Sequence, residues 1–242
     1  MSDDSVHTKE MPYTTTPNEV QTITTELWTS APSAKIMLQL LSQTGDPHKL
    51  LSYEHHFRFF AASCARRTSH LLTDTRSRIA IQTAELFANN RASGYALHKA
   101  YVNAKAAILE QAKNFNTFSS PSEDQSHPTG VNQETLYGAA VLHAAAAAAT
   151  CCFAQQIHTP LALAQACAKY ATSALYWEQV SLGADKILIS QLIDEEEHRQ
   201  AHALRIFIGN PFAPLRFPPM NLDSSNSMSQ QESCTQPFVN AA

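Results

Sequence analysis

Apolar side chains recur every three or four residues along most of the chain, which is the spacing of one face of an α-helix. The clearest stripe lies within residues 52–72 and consists of Phe57, Phe60, Ala61, Cys64, Thr68 and Leu71. Comparable stripes run from Leu97 to Ala112 and from Leu163 to Trp177. No segment shows the sustained apolar–polar alternation of a half-buried strand. The pattern therefore predicts an all-α helical bundle.

Capping residues and helix breakers divide these stripes into about seven or eight predicted helices. Starts are marked by Thr, Ser or Asp in cap positions, two of them followed by Pro, and the last helix ends at Gly209-Asn210-Pro211. The predicted helices cover approximately residues 16–28, 33–41, 52–72, 74–88, 93–112, 132–156, 160–182 and 184–208.

The segments between and outside these helices predict the domain organisation. Residues 1–15 and 218–242 are polar and are predicted to be disordered tails, leaving residues 16–217 as a single helical domain. Residues 114–130 have neither a period nor an apolar core, so we expect a flexible linker there, between two helical halves.

Composition supports the helical prediction and excludes several function classes. The chain has 36 Ala, six of them consecutive at Ala144–Ala149, and only six Gly. Ala loses the least free energy on entering a helix, and its small side chain lets helices approach closely. There is no GxGxxG or GxxxxGK[ST] phosphate loop and no GxSxG nucleophile elbow. No apolar run approaches the roughly 20 residues that a membrane span needs.

The cysteines and the N-terminal sequence favour a cytoplasmic location. The five cysteines include the adjacent pair Cys151-Cys152 but no CxxC motif, and the first residues lack the apolar core of a secretory signal. A reducing compartment is the expectation for such a chain. Because the adjacent pair follows an Ala run, we expect buried, protonated thiols rather than nucleophiles.

Charge is distributed unevenly along a chain whose net charge is -4. Residues 49–113 contain ten basic and four acidic side chains, whereas residues 114–242 contain five basic and eleven acidic ones. Two interpretations remain open: a basic surface for an anionic partner, or two halves that pack together and neutralise each other. The negative total and the lack of interleaved aromatic residues argue against nucleic acid.

The basic segment concentrates its arginines around the predicted turn at Leu71–Thr75. The candidate partner-binding residues are Arg66, Arg67, Arg76 and Arg78, with Arg58 nearby in the sequence. Guanidinium groups beside helix ends are suited to a phosphate or an acidic peptide. The alternative is that Arg66 or Arg67 pairs with Asp74 or Glu85 and ties neighbouring helices together.

The sequence DEEEHRQAH at 194–202 is the strongest candidate metal site. His198 and His202 share a helix face, and Glu195 lies three residues before His198. This set could hold a single divalent ion such as zinc. A di-iron carboxylate bundle needs a second Glu-x-x-His pair, which the chain lacks. The alternative is an ordinary solvated helix face.

Several ordered motifs together resemble an all-helical family that is abundant in planctomycete bacteria and has no established function. They are TELW at 25–28, MLQLL at 37–41, FRFFAASCARR at 57–67, HLLTDTRSR at 70–78 and LRIFIGNPFAP at 204–214. The resemblance covers about residues 22–217 and implies an all-α, cytoplasmic protein. The chain differs from the family pattern at Ala65, where the family has a second cysteine. The pattern also lacks histidines at the positions of His198 and His202.

These observations favour a non-catalytic protein that needs no cofactor and binds another protein or an anionic ligand through a basic helical surface. The alternative is a divalent-metal-binding protein or metalloenzyme that uses Glu195, His198 and His202.

Overall fold

The computed structural model describes residues 17–44, 47–118, 132–153 and 159–212. This part of the chain contains nine α-helices, a single 3-10 turn at Ser69–Leu71 and no strand, so the all-α prediction is confirmed. The helices are α1 (Pro17–Ser30), α2 (Ala34–Thr44), α3 (Pro47–Ser52), α4 (Glu54–Arg67), α5 (Thr75–Ala88), α6 (Gly94–Phe118), α7 (Gln133–Thr150), α8 (Pro160–Ser181) and α9 (Lys186–Ile208). None of these helices combines the length and apolarity needed to cross a bilayer.

Most helix ends fall where the capping signals predicted them. The Asp74 side chain accepts a hydrogen bond from the Arg76 backbone amide at the start of α5, and Thr159 accepts one from Ala162 at the start of α8. Gly209 ends α9 at a φ of 70°, which a residue with a Cβ adopts only with strain.

Several predicted helix and linker boundaries are wrong. The helix predicted for residues 52–72 is divided into α4 and the 3-10 turn, and a separate short helix, α3, precedes it. The predicted linker at 114–130 begins too early, because α6 continues to Phe118. The Phe115 ring packs against Gly138 of α7, so an apolar contact extends α6 past the point where its periodicity fades.

The remaining differences concern the chain after α7 and the segments beyond the helices. The helix predicted for 132–156 ends at Thr150, and the chain turns at Cys151-Cys152. Residues 119–130 of the predicted linker and both predicted tails lie outside the described residues.

Two apolar clusters form the core, and α4 and α8 contribute to both. The first joins these helices to α5, α6 and α7 through small side chains, mainly alanines of α7. The second joins them to α1, α2 and α9 through large side chains that include Trp28, Phe57, Phe60 and Leu204. The predicted stripe from Phe57 to Leu71, which runs along α4 and into the 3-10 turn, is buried along its whole length.

Two arginines bind the carboxyl ends of helices, where carbonyl groups lack helical partners. Buried Arg58 donates from Nη1 to the carbonyl oxygens of Cys151 at 2.8 Å and Phe153 at 3.2 Å, beyond the end of α7. Arg205 of α9 donates to the carbonyl oxygens of Trp28 and Ala31 at the end of α1. These contacts fix where α7 and α1 end against the rest of the bundle.

Candidate functional site

Arg66 joins α4 to α5 through a bidentate ion pair with Glu85. Its Nε and Nη2 atoms lie 2.6 and 2.5 Å from the two carboxylate oxygens, and its side chain is half exposed. An ion pair between Arg66 and Glu85 is one of the alternatives to partner binding that the sequence analysis gave for this arginine. The guanidinium nevertheless remains accessible from solvent, at the edge of the bundle.

Arg67 makes a different kind of contact, because its partner is buried. Its Nε atom donates to Oε1 of Glu196 at 2.9 Å, and its Nη2 lies 3.7 Å from the Cys64 sulfur. Glu196 is 2% exposed, and the same Oε1 accepts a hydrogen bond from Gln200 Nε2 at 2.8 Å. The pair therefore connects α4 to α9 inside the molecule.

Arg76 and Arg78 lie on α5 away from the other two arginines. Arg76 donates to both Asp74 and Glu110, which ties α5 to α6, and it holds the pKa of the Asp74 carboxyl below its usual range. Arg78 donates to the Thr73 carbonyl at 3.3 Å and is otherwise exposed. The predicted cluster is thus spread over separate contacts, and much of its charge is neutralised within the molecule.

The predicted metal ligands lie on the exposed face of α9. Glu195 pairs with Arg199 at 2.5 Å, and His198 Nδ1 lies 2.7 Å from the Asp194 carbonyl oxygen. Glu195, His198 and His202 line the same cleft. Among the described residues, no three His, Cys, Asp or Glu side chains are grouped closely enough to hold a metal ion.

Two of the four predicted arginines, Arg66 and Arg67, meet the predicted metal ligands Glu195, His198 and His202 in one surface groove. Two adjoining clefts of about 390 and 590 Å³ share Ser63, Arg67 and Phe207 as walls. We call their union the α4 groove; it is lined by Phe59, Ser63, Arg66, Arg67, Glu85, Asn89, Glu195, His198, Arg199, His202, Ala203, Ile206 and Phe207. Arg66 lies towards its α5 side and the histidines lie on its α9 side.

Apolar side chains in the α4 groove are the functional candidates that the sequence analysis missed. The rings of Phe59 and Phe207 are stacked, with centroids 5.8 Å apart and planes 11° apart. Ile206 beside them is 65% exposed. One sequence signal was available for Phe59. It lies on a different side of the helix from the buried stripe that contains Phe57 and Phe60, which indicates an aromatic side chain that is at least partly exposed.

The cysteines of the described chain are buried and unpaired, as the sequence predicted for Cys151 and Cys152. Burial raises the pKa of the Cys64 thiol to about 12. A hydrogen bond with Cys152, together with burial, raises the pKa of Cys151, and burial raises that of Cys167. These three thiols are protonated at neutral pH and are poor nucleophiles.

Comparison with known proteins found no relative of this chain, because no protein-family model, no curated protein and no solved structure matches it.

The kind of ligand that suits the α4 groove can be inferred from the side chains that line it. The groove combines guanidinium and imidazole groups with exposed aromatic and aliphatic side chains, an arrangement suited to a carboxylate next to an apolar group.

Proposed function

We propose that this protein is a non-catalytic interaction protein that holds an acidic segment of another protein in the α4 groove. The observation that supports it is the convergence of Arg66, Arg199, His198 and His202 on a groove with an apolar aromatic pair. The lining matches the composition of protein interfaces, in which arginine and aromatic residues are enriched and provide most of the binding energy.

Two arginines of the groove are available to a partner because their present ion pairs are exposed. The side chains of the Arg66–Glu85 pair are 52% and 31% exposed, and those of the Arg199–Glu195 pair are 60% and 55% exposed. Exposed pairs stabilise proteins by only about 0.2–1 kcal/mol, so a carboxylate of the partner could replace either glutamate at low cost. Arg67 does not serve this purpose, since its release would leave Glu196 buried without its cation.

The apolar residues would supply the anchor for such a segment. Phe59, Phe207 and Ile206 offer contiguous contact area, and an apolar side chain of the partner that covers them would exclude water from the neighbouring charged pairs. The preferred segment therefore has an aromatic or aliphatic residue flanked by Asp or Glu.

A divalent ion on Glu195, His198 and His202 is the second candidate function. One observation favours it: the Asp194 carbonyl engages His198 Nδ1, which leaves Nε2 for a ligand, and metal-bound histidines commonly have this second contact. Against it, Glu195 would have to leave Arg199. Plasma mass spectrometry of the native protein beside a His198→Ala/His202→Ala variant measures the bound metal directly, and metal lost in the variant would establish this function.

Site-specific photo-crosslinking tests the groove as a protein-binding site. A photoreactive amino acid at Ile206 should crosslink one protein in cells, through a peptide rich in Asp or Glu. The matched control is the same amino acid at Leu182, because both side chains are 65% exposed and Leu182 lies outside the groove. Arg66→Glu in the Ile206 variant should abolish the crosslink while leaving the helical circular dichroism unchanged.

Two results would contradict the proposal. The same products at positions 206 and 182 would show non-specific contact. A crosslink at 206 that survives Arg66→Glu would show that the arginine does not take part in recognition. Arg67 is unsuitable for this test, because replacing it would alter the fold through Glu196.

A further inference from the structure

Helix α6 has an apolar stripe on each of two opposite faces. The inner stripe, which includes Leu97, Ala100 and Ala104, is buried against α5 and α7. The outer stripe consists of Tyr95, Val102 and Leu109, which are 77%, 48% and 56% exposed. Residues seven apart deviate by only about 20° around a helix, so these three form a narrow line roughly 21 Å long.

Positive charge flanks the outer stripe, and no acidic side chain among the described residues pairs with it. Lys99 and Lys105 are exposed on either side of it, and neither makes a hydrogen bond or ion pair within the described residues. Glu110 is the single acidic residue of α6, and Arg76 of α5 binds it. Within the basic segment, residues 49–113, the two lysines that flank the stripe therefore have no acidic partner among the described residues, whereas Arg66, Arg67 and Arg76 are in ion pairs.

We infer that the outer face of α6 is a second docking surface, for an amphipathic acidic helix of another protein. The spacing of Tyr95, Val102 and Leu109 is that of one position in a heptad repeat, which a partner helix with the same repeat would complement. Glu or Asp beside the partner's apolar residues would then face Lys99 and Lys105. This surface is separate from the α4 groove, whose lining includes no residue of α6.

The shape and charge of the face distinguish this partner from the other possible occupants. A helix that lies on a lipid surface buries a broad apolar face rich in Trp, Phe and Leu, whereas this stripe is one residue wide. A second copy that docked α6 on α6 would bring the lysines of the two copies together. An acidic helix satisfies both the apolar spacing and the charge.

A pair of synthetic peptides tests the inference on the full-length protein. One fluorescently labelled helical peptide has leucines in heptad spacing flanked by Glu, and the other has Lys in place of every Glu. Fluorescence anisotropy should show binding of the Glu peptide at least about tenfold tighter than that of the Lys peptide. Lys99→Glu/Lys105→Glu should reverse the preference, and Val102→Glu should abolish binding of both peptides.

Controls separate this surface from the groove and from other occupants. The Glu peptide also has the composition proposed for the ligand of the α4 groove, so the same titrations are repeated in an Arg66→Glu variant, which removes that arginine from the groove. Binding that persists in Arg66→Glu and is lost on Val102→Glu belongs to α6, so the two proposals can fail independently. Equal binding of both peptides, or a preference that the double lysine variant does not reverse, would overturn the inference. Sedimentation that shows a dimer lost in Val102→Glu would assign the face to a second copy, and Val102-dependent binding to phosphatidylglycerol vesicles would assign it to lipid. Either result would also overturn it.

Discussion

Arg67 and Glu196 form an ion pair across α4 and α9 with an Nε–Oε1 distance of 2.9 Å, although 129 residues separate them in the chain. Gln200 donates to the same carboxylate oxygen and also to Thr172 Oγ1, at 3.1 Å, so the pair extends to α8. The other carboxylate oxygen of Glu196 is buried without a hydrogen-bond partner in the described structure. Three helices of the second apolar cluster therefore meet at one carboxylate, and Arg67 is the cation that pairs with it.

The two neighbouring arginines of α4 should differ strongly in their effect on stability. Arg67→Ala is expected to lower the free energy of unfolding by about 3–5 kcal/mol, because it leaves the Glu196 charge buried and unpaired. Arg66→Ala should lower it by about 1 kcal/mol or less, because the exposed pair with Glu85 contributes little. Urea unfolding followed by circular dichroism measures both changes.

A double variant separates two effects of Arg67→Ala, the unpaired charge that it leaves on Glu196 and the loss of packing by the arginine side chain. Adding Glu196→Gln to Arg67→Ala should restore part of the lost stability, since it removes the unpaired charge and keeps the shape of the side chain. Equal destabilisation by Arg66→Ala and Arg67→Ala would contradict the distinction between the two arginines.

The sequence predicted the fold well because helix ends depend on local chemistry. Asp74, Thr159 and Gly209 cap helices through contacts within a few residues, and such contacts are visible in a sequence. The extension of α6 depends instead on tertiary contacts such as that of Phe115 with Gly138. A sequence pattern contains no direct information about them.

The sequence predicted several individual residues of the α4 groove but not that they lie together. Arg66, His198 and His202 were singled out for their chemistry, but nothing in the sequence indicated that they share one groove. Glu196 belongs to an acidic run, 194–197, that suggests a solvated surface. A helical signal was available, because Glu196, Gln200 and Leu204 are spaced four apart and all are buried.

Gly138 has no side chain, which allows α6 and α7 to approach each other closely. The substitution Gly138→Ala, which adds a single methyl group, tests this close approach. A Cβ at this position would lie 2.5 Å from the Cδ1 atom of Phe115, so Gly138→Ala should displace the ring and destabilise the protein by about 1–3 kcal/mol. Gly94→Ala is the matched control, because nothing lies within 4 Å of its Cβ position. Thermal unfolding should show a lower Tm for Gly138→Ala alone, and unchanged Tm values in both variants would contradict the close packing.

Trp28 anchors α1 to the end of α9. Its indole Nε1 donates to the Gly209 carbonyl at 2.7 Å, and its fully buried ring packs edge-on against Phe212, 5.9 Å between centroids. Trp28→Phe removes the donor and should lower the free energy of unfolding by about 1–3 kcal/mol. Trp177→Phe, at a half-buried position, provides the comparison, and a larger loss there would contradict the role of Trp28.

Because several thiols are buried, we expect the free energy of unfolding to decrease at alkaline pH. The pKa of Cys64 rises from an ordinary value of 9.0 to about 12, so the folded state keeps a proton that the unfolded chain releases between these values. Its contribution to stability is therefore complete below pH 9 and is lost as the pH rises towards 12. The raised pKa of Cys151 and Cys167 acts in the same direction.

A thiol-labelling experiment checks both the burial and this sign. In a Cys234→Ser variant at pH 8, a disulfide reagent should label none of the four remaining cysteines in the native protein and all of them in urea. Unfolding free energies measured in the same variant should decrease from about pH 9 upward, because the unfolded thiols ionise first. A Cys64→Ala variant should show a shallower decrease. Rapid native labelling would contradict the burial of the four cysteines, and stability that rises over this range would contradict the raised pKa of Cys64, Cys151 and Cys167.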